Sequence, residues 1–186
     1  MDLDTLYSKY DKDESFKHLR LPGIQLVRGE GALFPGGVMF VGEAPGMHEN
    51  TTGRPFVGVA GSVLNRMLDH IGCPRHLVYL TNLLKYRPMN PENRDPTPYE
   101  VGQSVPYLTQ EINLVNPKII VPLGRHATRV FFPGVSVRNV RGKVNKRNGR
   151  LVIPTYHPAY IAYNSDKEEV LKAQFETIRD VILKGA

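Results

Sequence analysis

The chain has 186 residues, 41% of them hydrophobic, enough to build one ordinary core and too few to require a second domain. Its single cysteine, Cys73, excludes an intramolecular disulfide and any multi-cysteine metal centre; no stretch has the length of a membrane span or the pattern of a signal peptide, so a cytoplasmic protein is expected. The net charge of +6 favours a polyanionic partner, and Arg138, Arg141, Lys143, Lys146, Arg147 and Arg150, with no acid among them, match the whole surplus in one segment.

Residues 1–34 are polar and mixed in charge, with a short helix predicted at 3–10, and read as an N-terminal lead-in to a single domain spanning 1–186. The apolar run 38–41 lacks alternation, which suits a central strand covered on both faces. Val63, Leu64, Met67, Leu68 and Ile71 then repeat at helical spacing until Gly72 stops them. A second strand at 77–80 leads to Thr81-Asn82 and a Pro/Asn-rich loop at 87–98. Val101, Val105, Leu108, Ile112 and Val115 mark a helix that must kink or begin at Pro106, which lacks the amide donor. A third strand at 118–123 is followed by a short helix at 125–132. The basic segment reads as a hairpin or extended loop, 151–154 as a fourth strand, and Val170, Leu171, Phe175, Ile178 and Ile182 as the core face of a closing helix. Strands alternating with helices predict an α/β fold, a three-layer α/β/α sandwich around a mainly parallel four-stranded sheet.

Ligands of open α/β sheets bind where strands end. The first strand delivers Gly42-Glu43-Ala44-Pro45-Gly46, then Glu49 and Gly53-Arg54-Pro55-Phe56-Val57-Gly58. Two carboxylates and an aromatic ring at such a place suit a substrate with a flat ring and a bond to hydrolyse. Taken alone, Phe56 could as well be a core residue, Asn82 a turn or cap, and the His of Tyr156-His157-Pro158-Ala159-Tyr160 a histidine satisfied by backbone groups.

Those motifs, with Thr81-Asn82, Lys85-Tyr86-Arg87-Pro88 and His157-Pro158-Ala159-Tyr160 in this order, resemble family 4 of the uracil-DNA glycosylases over about residues 38–164. The resemblance implies a monofunctional DNA glycosylase that flips deoxyuridine out of the stack and hydrolyses its N-glycosidic bond, leaving an abasic site for base-excision repair. Phe56 would stack on the base, which is worth roughly 1–3 kcal/mol for any base and so gives affinity without choice. Asn82 would read uracil N3–H and O4, and His157 would donate to O2, where negative charge grows as the bond breaks. Glu43 or Glu49 would activate water or steady the sugar cation, with Glu43 preferred because it follows the strand directly; Glu49 would otherwise exclude thymine near C5. Gly42 and Ala44 would line the uracil pocket. Gly46, Lys85, Arg87, Arg138, Arg141 and Lys143 would contact DNA, and Tyr160 or Ile161 would wedge into the vacated stack.

The same family holds a four-iron, four-sulfur cluster on four cysteines, and this chain lacks them: Tyr86 and Ser104 stand at two of those positions, and Ser15 and His18 map less securely to the others. No cluster, metal or organic cofactor is therefore expected. A related branch traps DNA covalently through a His in the loop after the second strand; residues 89–96 contain none, so turnover is expected. The partner is uracil-containing DNA, single- or double-stranded, and a monomer is expected. Two alternatives stay open: a catalytically degenerate DNA-binding protein, and a glycosylase for another deaminated base such as hypoxanthine.

Overall fold

The computed structural model describes residues 1–89, 94–162 and 164–185. Residues 90–93 of the predicted Pro/Asn-rich loop thus lie outside the described residues. Strands β1 (Glu30–Gly31), β2 (Val38–Gly42), β3 (Val78–Asn82), β4 (Ile119–Pro122), β5 (Asn145–Arg147) and β6 (Arg150–Val152) form one sheet in the order β1-β3-β2-β4-β6-β5. The four predicted strands are its parallel centre, β3-β2-β4-β6. The expectation of four is corrected to six by two short antiparallel edges, β1 on β3 and β5 on β6. Edge strands of two or three residues carry no apolar run, because only one side of each is paired and little of either face is covered.

Alternation through the central strands feeds two cores. Val38, Phe40, Val78, Leu80, Ile119 and Val121 point to one face and Met39, Val41, Tyr79 and Ile120 to the other. The helices are α1 (Leu3–Lys12), α2 (Met47–Thr52), α3 (Val59–His70), α4 (Pro98–Val115), α5 (Gly124–Phe131), α6 (Val137–Val140), α7 (Pro158–Ala162) and α8 (Glu168–Leu183). The first face is covered by Leu64 and Leu68 of α3, Ile161 of α7 and Phe175 of α8, and the second by Tyr10 of α1, Leu108 of α4 and Ala127 of α5. The α/β/α layering is therefore as the sequence predicted. Helix α4 neither begins nor breaks at Pro106: it starts at Pro98, where Thr97 and Glu100 cap each other's backbone N–H groups at 3.2 and 2.7 Å. Among the described residues no helix is long and apolar enough to cross a membrane.

The N-terminal segment is more than a lead-in. Leu6, Tyr7, Tyr10, Phe16 and Leu19 are all buried, on α1 and the 3₁₀ turn Glu14–Leu19 that follows it. Tyr10 stacks on Phe16 with ring centroids 4.1 Å apart, meets Tyr107 edge-on at 5.0 Å, and shares a 3.3 Å hydrogen bond with Ser104. Tyr86 is buried beside it, its hydroxyl donating to Asp11, while His18 reaches Glu100 at 2.8 Å. These are the residues at and around the positions where the family resemblance puts cluster thiolates. They offer phenol, hydroxyl and imidazole groups, and aromatic rings fill the space. An iron–sulfur cluster needs thiolates, so the residues present do not fit one.

Candidate active site

The exits of β2 and β3 are tied together beyond their ladder: Leu83 N–H donates to the Gly42 carbonyl at 2.9 Å and Leu84 N–H to that of Glu43 at 3.0 Å. Above these exits opens a cleft of about 500 Å³ lined by Glu43, Ala44, Gly46, Glu49, Phe56, Asn82 and His157, among others. Gly42 is not among the residues that line it. A Cβ there would collide with Asn82 Oδ1 and Phe56 Cζ, so the close approach of ring and amide depends on a glycine at that position.

Phe56 sits at φ = 53°, a left-handed backbone that a bulky residue adopts only when its surroundings impose it. Arg75 does so. Its guanidinium donates to the Phe56 carbonyl at 2.9 Å and the Pro55 carbonyl at 2.7 Å, and is itself held by Glu30 at 3.0 Å. The ring is buried, with its centroid 6.4 Å from that of His157.

Asn82 ends β3 and is 4% exposed. No described residue hydrogen-bonds its side-chain amide, so a nearly buried donor and acceptor face the cleft unengaged. His157 lines the same cleft, just before α7. Its Nδ1 accepts from Ala159 N–H at 3.1 Å, and burial drives the ring's pKa down to about 4 against the opposing pull of Glu49. A neutral ring whose Nδ1 accepts must carry its proton on Nε2, leaving one N–H donor.

Two carboxylates reach the cleft with different engagements. Glu49 is buried and bound to backbone: Oε1 accepts from Val57 N–H at 2.9 Å and Gly58 N–H at 2.8 Å, and Oε2 from Gly46 N–H at 3.1 Å. It staples the loop. Glu43 accepts no hydrogen bond from a described residue through its carboxylate. Burial, then the nearby Asp95 charge, pushes its pKa up to about 7, with Arg125 acting in the opposite direction. Its Oε2 lies 3.7 Å from His126 Nε2, which is also 3.7 Å from Asp95 and accepts from Arg125 Nε at 3.0 Å. Burial and Arg125 keep His126 below its ordinary pKa. Glu43, Asp95 and His126 present three possible metal-ligating atoms within 4.8 Å, and Arg125, paired to Asp95, already brings a cation to that point.

A family model for the Uracil DNA glycosylase superfamily matches residues 29–179. The chain is 44% identical over 156 residues to the Type-4 uracil-DNA glycosylase of Sulfurisphaera tokodaii, covering 78% of this chain and 70% of that one. It is 43% identical over 153 residues to the Type-4 enzyme of Thermotoga maritima, covering 81% and 78%. This chain belongs to the uracil-DNA glycosylase superfamily. The likeness to a Type-5 uracil-DNA glycosylase, that of Pyrobaculum aerophilum, is lower, 30% over 167 residues, covering 80% and 70%.

Set in a uracil-DNA glycosylase, two predicted DNA contacts need correction. Lys85 is 1% exposed and ion-paired to Glu111 at 2.6 Å, so it cannot reach a phosphate. Ile161 is 2% exposed in the core beneath α7, which removes it as a wedge. Tyr160 is exposed and stacks on Tyr156 at 5.1 Å, and Arg141 lies over the other aromatic of that pair, Tyr156, at 4.2 Å. Arg138 and Lys143 are exposed on and after α6, Arg87 is partly buried, and Gly46 gives its N–H to Glu49. The sequence reading passed over Arg75, Asp95, Arg125 and His126. His126 lies on α5, which begins just past the end of β4, and that nearness to a strand end was the available signal.

Proposed function

We propose that this glycosylase excises uracil from DNA, and that the residues lining the cleft divide the work as follows. Phe56 stacks on the flipped base. The Asn82 amide accepts from N3–H and donates to O4, a pattern that cytosine reverses. A mismatch that strands buried polar groups can reach roughly 10⁴ in selectivity. The neutral His157 donates from Nε2 to O2 as negative charge builds there. Glu43, the carboxylate without a backbone ligand, orients water and steadies the sugar cation, while Glu49 keeps the loop in shape. Arg138, Arg141, Lys143 and Tyr160 take the strand flanking the flipped nucleotide, single- or double-stranded, and Gly46 lets the backbone approach it. The enzyme acts as an intracellular monomer.

The observation that carries this reading is the pairing of a nearly buried, unengaged Asn82 amide with a histidine whose tautomer leaves one donor, both facing one cleft. A panel of oligonucleotides containing uracil, thymine, cytosine or hypoxanthine, scored by alkaline cleavage, tests it. Uracil should be released at least about 10³-fold faster than cytosine, whose edge is reversed; thymine presents the same edge as uracil and differs only by its C5 methyl. Faster release of hypoxanthine would favour the other deaminated base, and tight binding without release of any base would favour a degenerate binder.

A further inference from the structure

Lys85 is the most completely buried cation of the described chain, and the chemistry above makes no use of it. Its Nζ has three acceptors, each at 2.6 Å: Thr81 Oγ1, the Asn82 carbonyl and Glu111 Oε2. Two of the three belong to the last two residues of β3. The edge strand β1 accompanies β3 only to Leu80, so this ammonium takes over where that ladder stops. Glu111 anchors the arrangement from α4, its Oε1 accepting from Tyr7 at 2.5 Å and Tyr79 at 3.1 Å. The Lys85 backbone N–H donates to Tyr10 at 3.1 Å, which ties the clamp to the aromatic cluster.

A fully buried ion pair is poor evidence of stabilisation, since apolar residues of similar volume often serve as well, and its best-attested use is to fix one arrangement. What it fixes here is specific. The Asn82 side chain has no described hydrogen-bond partner of its own, so its placement rests on its packing beside Gly42 and on the backbone, which β2 holds from one side and Lys85 bonds at the Asn82 carbonyl.

We propose that Lys85, with Glu111, is a positioning residue for base recognition, holding the end of β3 so that the Asn82 amide meets the uracil edge. The inference rests on Asn82 reading uracil. A misplacement of about 1 Å, even from a distance, can cost about 10²-fold in rate.

The test uses the full chain and free uracil as the probe, because inhibition by the base reports the pocket without the DNA grip. Two variants are compared with the wild type: Lys85→Met/Glu111→Leu, which leaves neither charge buried alone, and Thr81→Val, which removes one acceptor with little change of shape. Assays are run below each variant's melting temperature. The proposal expects kcat and free-uracil inhibition to weaken by about 10²-fold in the double variant, and by less in Thr81→Val, with oligonucleotide Kd unchanged. If the double variant does not fold, Thr81→Val decides alone, and wild-type uracil inhibition in it overturns the proposal. A weakened oligonucleotide Kd with a shallower salt dependence and intact uracil inhibition would instead show a phosphate contact and also overturn it. Asn82→Ala separates the two layers. If that variant keeps uracil inhibition, the reading of Asn82 fails; if it loses inhibition while the Lys85 and Thr81 variants keep it, only this inference fails.

Discussion

His157→Ala should lower the single-turnover rate of uracil release by about 10²–10³-fold, or ~2.7–4 kcal/mol, while leaving oligonucleotide binding nearly intact. The reason lies in when the donor matters. In the ground state uracil O2 is an ordinary carbonyl oxygen, and one neutral hydrogen bond adds little to binding. As the glycosidic bond lengthens, O2 takes up negative charge, and a fixed N–H aimed at it strengthens with that charge. Ala159 N–H on Nδ1 makes the fixed donor Nε2–H, and the pKa near 4 keeps the ring neutral at every ordinary assay pH. His157 should therefore add no titration to the pH–rate profile between pH 5 and 9. A variant that loses binding and rate equally would place His157 in substrate grip instead.

Glu43→Gln should cost about 10²–10⁴-fold in rate and remove the acidic limb from the profile of kcat/KM. The sign follows from the cause. Burial and Asp95 both disfavour the charged carboxylate and raise its pKa to about 7, so the active anion appears only as pH rises through that value. In the wild type kcat/KM should accordingly climb to a plateau above pH 8. Asp95→Asn removes a repulsive charge and should move the limb to lower pH, whereas Arg125→Gln removes an attractive one and should move it to higher pH. Glu49→Gln should act differently. Its carboxylate holds three backbone N–H groups, so the change should loosen the loop and lower melting temperature together with activity. A limb that persists unchanged in Glu43→Gln would assign the titration to another group.

How far the sequence could be read depended on whether the signal was local. Strands β2 and β4 stood out because both of their faces are covered, which makes each a buried apolar run. Strand-end logic then led to Glu43, Asn82 and His157, and the cleft gathers all three. The failures share a different origin. Lys85 looked like a phosphate ligand because a lysine in a loop is usually solvated, and its partner Glu111 lies 26 residues away on α4. Ile161 looked like a wedge because five residues of α7 carry no periodicity to show which face is inward. The hydrogen bonds of Glu49 to the N–H groups of Gly46, Val57 and Gly58 were equally illegible, a loop closure invisible in residue types. The N-terminal segment read as polar although Tyr7, Tyr10 and Phe16 bury their rings, since tyrosine can be both surface and core.

In the proposed mechanism the Asn82 amide selects uracil over cytosine and no metal is required. Single-turnover release of uracil from a labelled single-stranded oligonucleotide in EDTA, for the wild type beside Asn82→Ala, tests it most directly. The account predicts release by the wild type and a loss of about 10³-fold or more in the variant, with oligonucleotide binding retained. Equal rates for the two proteins, or no release by a wild type that binds the oligonucleotide, would contradict it.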